Sequence, residues 1–442
     1  MSRSDRDAWL DRFERDASAY FRHEVDERTG LVRDNSRADA PASIAGSGFA
    51  LSCYAVAAKR GYLGRNDAAD RALRALRFLV TAPQGEGEGT IGAHGFFYHF
   101  LDMRTGERVW DCEVSTIDST ILFAGALFAA VYFDRDDEAE GEIRSLVAEL
   151  YLRADWEWAF DGGPMVALGW HPERGFSRYE WGGYTEALIL YVLALGSPSH
   201  PLPSSSYQAW TEGYVWRTLY DHQFLYAGPL FIHQLSHGWI DFRDIRDPYM
   251  KAHGIDYFEN SRRATLVQRA YAIDNPRGFS GYGADCWGIT ASDGPGPATV
   301  ARDGTVREFW SYRERGVPDG PDDGTVSPWA LMASLPFAPE IVMSSIEKVA
   351  DHHPELQRKY GFACSFNPTF AGTDGSNAGW VSPAHYAINQ GPVVLMVENY
   401  RSELIWRSMR RCPYIVDGLR RAGFEGGWLD GLSRAETPDR ER

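Results

Sequence analysis

An all-α fold of the (α/α)6 toroid type, a double ring of about twelve helices with long loops and small hairpins at one rim, is what this sequence predicts. Three observations predict it. Apolar residues recur at three- and four-residue spacing in about a dozen stretches. No fixed-period repeat turns those stretches into a solenoid. The segments between them are long and rich in Gly, Pro and Asp, the composition of ordered functional loops. With 442 residues, 44% of them hydrophobic, the chain can bury one large core. The expectation is therefore one domain over 1–442, with a core of about 5–425 and a flexible tail 426–442.

The elements follow in chain order. Trp9, Phe13, Ala17, Tyr20 and Phe21 form the stripe of an amphipathic helix over 5–24. Further helices are expected over 43–60, 66–82, 115–134, 137–153, 183–195, 204–218, 247–274, 327–335, 339–351, 384–400 and 402–411. The intervening loops 83–114, 154–182, 275–326 and 364–383 would build a cleft over the inner helix ends. Within the first of them, Gly95 to Phe100 reads as a strand of a small hairpin.

Charge and composition narrow the possible partners. The 61 acidic and 45 basic residues give a net charge of −16, which repels phosphate backbones and anionic lipid surfaces. A neutral small molecule or polymer is the expected partner, with no nucleic acid and no membrane. The 15 Trp and 22 Tyr offer flat rings for the apolar faces of sugars, although rings also fill helical cores. Five cysteines without paired spacing indicate neither a disulfide framework nor a zinc site. The polar start of the chain has no apolar stretch of a secretion signal, so a cytoplasmic location is expected.

Hydrolysis of a glycosidic bond needs two carboxyl groups, one to protonate the leaving oxygen and one to activate water or attack directly. Glu186 is the first candidate. The run Trp181-Gly-Gly-Tyr-Thr-Glu-Ala-Leu-Ile-Leu-Tyr191 places it on the first turn of an apolar helix, where partial desolvation raises a carboxyl pKa toward the range of a general acid. A helix-dipole partner is the competing reading. A second cluster, Trp110-Asp-Cys-Glu-Val-Ser-Thr-Ile-Asp118, gathers Asp111, Glu113 and Asp118 before an apolar run. Ser115 and Asp118 there also fit a capping box.

Other polar residues have structural alternatives. Asp285, Asp293 and Asp323 sit in turn-rich loops. Glu398, within Pro392-Val-Val-Leu-Met-Val-Glu-Asn-Tyr400, must be paired or functional, and a nearby arginine would satisfy it. His233 and His237 stand four apart but lack the Glu of a zincin helix, and Asp136-Asp-Glu138 reads as a solvated connection. No metal or other cofactor is expected.

Several blocks in one order resemble a known family. Ser115-Thr-Ile-Asp118, Gly183-Tyr-Thr-Glu-Ala187, Leu195-Gly-Ser-Pro-Ser-His-Pro201, His237-Gly-Trp-Ile-Asp-Phe-Arg243, Trp287-Gly-Ile-Thr-Ala-Ser-Asp-Gly294, Asn389-Gln-Gly-Pro392 and Glu398-Asn-Tyr-Arg401 are similar to the glycoamylase-like domain of glycoside hydrolase family 144, the β-1,2-glucanases. The resemblance runs from about residue 10 to Phe424. It implies an (α/α)6 toroid and hydrolysis of β-1,2-glucan or its oligosaccharides with inversion at the anomeric carbon. Glu186 falls on the family's proton donor, and Glu113 and Asp118 fall on carboxylates that bind sugar or position water. Asp111, Trp181, Tyr184, Trp287, Asp293, Gln390 and Glu398 are the expected substrate-binding residues. Two departures stand out: Cys364 and Asn389 occupy places where the family carries Asp. Sugar binding with little turnover is the alternative those losses motivate, and transglycosylation on β-1,2-glucan, the activity of a related domain, is the other.

Overall fold

The computed structural model describes residues 3–302, 304–370 and 379–432. Its α-helices are α1 (Arg3–His23), α2 (Ile44–Arg60), α3 (Arg65–Thr81), α4 (Thr116–Tyr132), α5 (Glu138–Leu152), α6 (Trp156–Phe160), α7 (Leu188–Gly196) and α8 (Ser204–Glu212). They continue with α9 (Pro248–His253), α10 (Tyr257–Asp274), α11 (Pro328–Ala333), α12 (Pro339–His352), α13 (Ala387–Ser402), α14 (Leu404–Met409), α15 (Pro413–Arg421) and α16 (Gly427–Asp430).

Hydrophobicity sorts these helices into two rings. A helix that is apolar on every side must be buried on every side. All nine residues of α7 are buried, as are all six of α11, and α2, α4 and α13 are buried over most of their length. These five, with two short 3-10 turns at Leu230–His233 and Leu235–Gly238, form the inner ring. The sixth inner member is thus not the α-helix a regular toroid would supply. Ring closure can be followed in contacts: α2 packs on α4 and on α13, α4 on α7, and α11 on α13. Ser236 Oγ accepts from Ile189 N at 3.1 Å, and Gln234 Nε2 donates to Ala330 O at 2.7 Å, so the 3-10 turns join α7 to α11. Around this ring lie amphipathic helices, with α1, α3, α5, α10 and α12 each against an inner neighbour and α15 against α7.

Glycines set the closest approaches. A Cβ on Gly125 of α4 would lie 1.9 Å from Gly48 O of α2, and one on Gly48 would lie 2.5 Å from Leu122 Cα. The α7–α15 contact is built the same way, with Gly196 against Tyr414 O and Gly418 against Val192 O, each at 1.9 Å.

Several expected boundaries move. The helix expected from 183 begins at Leu188, because Gly183 (φ 75°) and the turn after it precede it. The helix expected over 204–218 stops at Glu212, and Trp216–Leu219 pairs with His222–Leu225 as a hairpin. The stretch 247–274 is two helices, divided where Gly254 takes φ 73°. Helix α15 was not among the expected elements. Of the expected tail, 433–442 lies outside the described residues, whereas α16 is helical and Trp428 Nε1 donates to Asp241 O at 2.8 Å. Strand pairing is local. The largest sheet is antiparallel, in the order Gly92–Ala93, Phe96–Tyr98, Val114–Ser115, Gly169–His171 and Gly175–Phe176, and it stands at the entrance to α4. No described helix is long and apolar enough to cross a membrane.

Candidate active site

The inner segments present their N-terminal ends to one cavity of about 510 Å³. Ser43 stands before α2, Ile117 and Asp118 on the first turn of α4, Glu186 just before α7, and Trp329 at the start of α11. Tyr386, Ile388 and Asn389 do the same for α13, and Phe231, Gln234 and Leu235 come from the 3-10 turns. Helix N-termini carry partial positive charge, so this geometry favours carboxylates and oxyanions at the ring centre. Loops close the walls with Asp34, His99, Phe100 and Tyr312.

Glu186 faces this cavity from the turn before α7, two residues ahead of the helix start at Leu188 rather than on its first turn as expected. Burial pushes its carboxyl up to about 7, and the charges of Glu314 and Asp118 add to the effect. A group so placed retains its proton near neutrality.

Asp118 is buried at one end of a charged chain that runs through His99 to Glu113. Ser115 Oγ donates to its Oδ2 at 2.5 Å, while Ser115 also caps α4 by accepting from Asp118 N at 3.2 Å. The capping-box partner expected from sequence and the carboxylate that lines the cavity are therefore the same residue. His99 Nε2 lies 3.6 Å from Asp118 Oδ2, and His99 Nδ1 lies 2.9 Å from Glu113 Oε1. Although burial alone would lower it, the imidazole is raised to about 9 by the carboxylates of Asp118, Glu113 and Asp34. The hydrogen bond from His99 in turn holds Glu113 below its ordinary value against the effect of its burial. Asp34 is raised, chiefly by desolvation. The site thus joins a proton-retaining Glu186 to an ionised His99 bridge within one cavity.

The remaining expected site residues divide between walls and core. Asp293 does not line the cavity. It anchors the wall behind it, accepting from Arg37 Nη2 at 3.0 Å and Ser382 Oγ at 2.9 Å, while Arg37 Nη1 donates to Tyr386 Oη at 2.7 Å. Trp181 donates through Nε1 to Thr116 Oγ1 at 2.9 Å and ties the Glu186 loop to α4. Tyr184 is buried among Tyr257, His233 and Tyr214. Trp287 is fully buried on Ser345. Gln390 donates to His385 Nδ1 at 3.2 Å behind the wall. Asp111 is exposed beside the sheet.

Glu398 is far from the expected sugar-binding role. It is fully buried and pairs with Arg60 Nε at 2.6 Å, the arginine partner that sequence offered as its alternative. His233 and His237 are buried and held neutral by desolvation, lowered to about 4 and about 3. Asp323 pairs with Arg315, and Asp285 with Lys348.

The two family departures meet each other: Cys364 Sγ donates to Asn389 Oδ1 at 3.0 Å, and burial pushes that thiol up to about 12. A neutral pair therefore stands where Asn389 reaches the cavity. Sequence reading missed His99, Asp34, Gln234 and Tyr312. A histidine inside the apolar strand run Gly95–Phe100 was the one available signal, since Asp34 and Tyr312 sit in loops whose polarity is ordinary.

Comparison with known proteins agrees with this architecture. The family model described as "Putative glucoamylase" (glycoamylase) matches residues 178–413. An exo β-1,2-glucooligosaccharide sophorohydrolase (non-reducing end) of Parabacteroides distasonis is 28% identical over 439 residues, covering 91% of this chain. The chain spans only 56% of that curated relative's length. Among solved structures, a protein of Bacteroides uniformis described as a putative glucoamylase superposes with a TM-score of 0.83 at 30% identity, over 95% of this chain and 98% of the other. The endo-β-1,2-glucanase of Chitinophaga pinensis, solved with sophorotriose and glucose, gives 0.80 at 26% identity, over 96% and 99%.

Proposed function

The chain belongs to the glycoamylase family, and from that premise we propose that it hydrolyses β-1,2-linked glucooligosaccharides, with Glu186 as the general acid. The observation that carries this reading is the cavity at the inner-ring N-termini, where Glu186, its carboxyl pushed up to about 7, shares the lining with a carboxylate supported by Ser115 and His99. The relatives that act on β-1,2-glucan and its oligosaccharides support the substrate class.

In this reading the sugar on one side of the scissile bond packs on the apolar wall of Phe231, Trp329 and Tyr386, while the glycosidic oxygen meets Glu186. Glu186 gives its proton to the leaving oxygen as the C–O bond breaks. Asp118 orients a water on the other face and takes its proton as the new C–O bond forms, which gives inversion. His99, charged and bonded to Glu113, fixes the Asp118 side of the cavity. Asp118 is preferred as the base because it lines the cavity, whereas Asp111 and Glu113, the other two candidates, do not.

Glu186→Gln tests the assignment, because it keeps shape and removes the proton. The variant is expected to lower kcat on sophorooligosaccharides by about 10²–10⁴-fold with the fold intact. In the wild-type protein, kcat should fall as pH rises through about 7, where Glu186 ionises. Anomer-resolved product analysis then reads the stereochemistry. Normal turnover by the variant would remove Glu186 from the mechanism, and lengthened products would replace hydrolysis by transfer.

A further inference from the structure

Outside the cavity, one large aromatic side chain has no core to fill. Trp110 is 69% exposed. It sits at φ 58° and is followed by Asp111 at φ 48°, two successive residues in the left-handed region that side chains disfavour. This turn holds the indole outward and edge-on to Phe100, with ring centroids 5.2 Å apart. Phe100 itself lines the cavity and stacks on His99. Trp110 is therefore one ring removed from the candidate active site.

A second hollow, of about 340 Å³, lies beside Trp110 on the surface. One bank is the 38–41 segment, held in place by Arg33 Nη1, which donates to Ala38 O at 2.6 Å and Ala40 O at 3.3 Å. The other bank is the turn at Asp102, whose Oδ1 accepts from the backbone N–H groups of Arg104 and Thr105 at 2.8 and 2.9 Å. Both banks are thus built rather than loose. Asp39 and Arg104 add an exposed acceptor and an exposed donor of opposite charge to the lining. Such a pair suits a neutral ligand rich in hydroxyl groups, and an exposed indole face suits the apolar face of a pyranose.

We propose that Trp110 and this hollow form an outer sugar-binding subsite, continuous with the cavity through Phe100. Its occupant is a glucosyl unit of a β-1,2-linked oligosaccharide too long for the cavity alone. The proposal rests on the reading of the preceding subsection for its substrate class. It assigns Trp110 to chain-length preference and leaves bond cleavage to the cavity residues.

Calorimetric binding in the Glu186→Gln background separates the two ideas, using β-1,2-linked glucooligosaccharides of three and six units. With Trp110 present, the hexasaccharide is expected to bind more tightly than the trisaccharide. Trp110→Ala should weaken hexasaccharide binding about tenfold, leave the trisaccharide unchanged, and Trp110→Phe should recover part of the loss. Hydrolysis by the otherwise native enzyme should show the same split, with KM raised for the longer substrate and kcat retained. An equal effect on both lengths, or none, overturns the subsite while leaving the proposed activity standing. Failure of both lengths to bind when Trp110 is intact overturns the activity and the subsite together. Circular dichroism checks that each variant is folded, as expected for a change at an exposed position.

Discussion

At the scale of single residues, His99 has a role that its position alone does not declare. It lies between Asp118 and Glu113, with its ring stacked on Phe100 at 3.9 Å. Its folded pKa of about 9 exceeds the ordinary 6.5, so its stabilising contribution is fully present below 6.5 and is lost as pH rises through about 9. His99→Gln should therefore lower stability by roughly 1–3 kcal/mol at pH 6, and the gap to wild type should close by pH 10. Thermal unfolding across that range checks it; a gap independent of pH would show that the imidazole is not charged. The aromatic, glycine-rich approach singled out Glu186, and the fold places it in the cavity lining. Its raised pKa follows from the cavity wall, with Glu314 and Asp118 contributing from distant parts of the chain, so local sequence could supply only the expectation of desolvation. Trp287 and Tyr184 show the opposite limit: an aromatic in a distinctive motif can be core, and periodicity does not say which.

At the scale of elements, the apolar inner helices were the most legible part of the fold, because a run such as Leu188 to Leu195 has only one stable destination. The boundaries followed local backbone demands that a period does not carry. Gly254 in the left-handed region ends α9, and the Trp216–Leu225 hairpin competes successfully with an extended α8. Helix α15 escaped notice because it is short and has Gly418 at its middle, a residue that weakens a helix considered alone. Packing explains the glycine, since Gly418 meets Val192 O of α7 where no methyl group fits. Gly418→Ala should accordingly destabilise the protein by about 1–3 kcal/mol, despite its higher helix propensity. A lowered melting temperature with unchanged KM is the expected result, whereas a stabilised variant would mean that propensity outweighs the contact.

At the scale of the whole molecule, α1 covers the seam where the inner ring closes between α2 and α13. Glu14 of α1 and Glu398 of α13 are both fully buried, with Arg60 of α2 3.8 Å from the first and 2.6 Å from the second. Arg401 pairs with Glu14 and with Asp11. Burial and the neighbouring Glu398 push Glu14 upward, so this cluster depends on its arginines. Arg401→Ala should cost about 1–3 kcal/mol, because it leaves the buried Glu14 carboxyl without its hydrogen-bond donor. Heat-denaturation curves measure the loss, and the residual native enzyme should turn over normally. A drop in kcat at low temperature would instead couple this cluster to the cavity.

The glycine contact between α2 and α4 bears on the cavity in another way. Ser43 and Asp118 stand at the cavity ends of these helices, with Gly48 and Gly125 only one to two turns beneath them. The two backbones touch there without any side chain between them, so that contact acts as a mechanical stop for the rims above. The width of the cavity on this side is therefore gauged by a backbone contact rather than by adjustable rotamers. A change of rotamer alone could reshape the aromatic walls, whereas the spacing of these two rims cannot change without moving helix backbone.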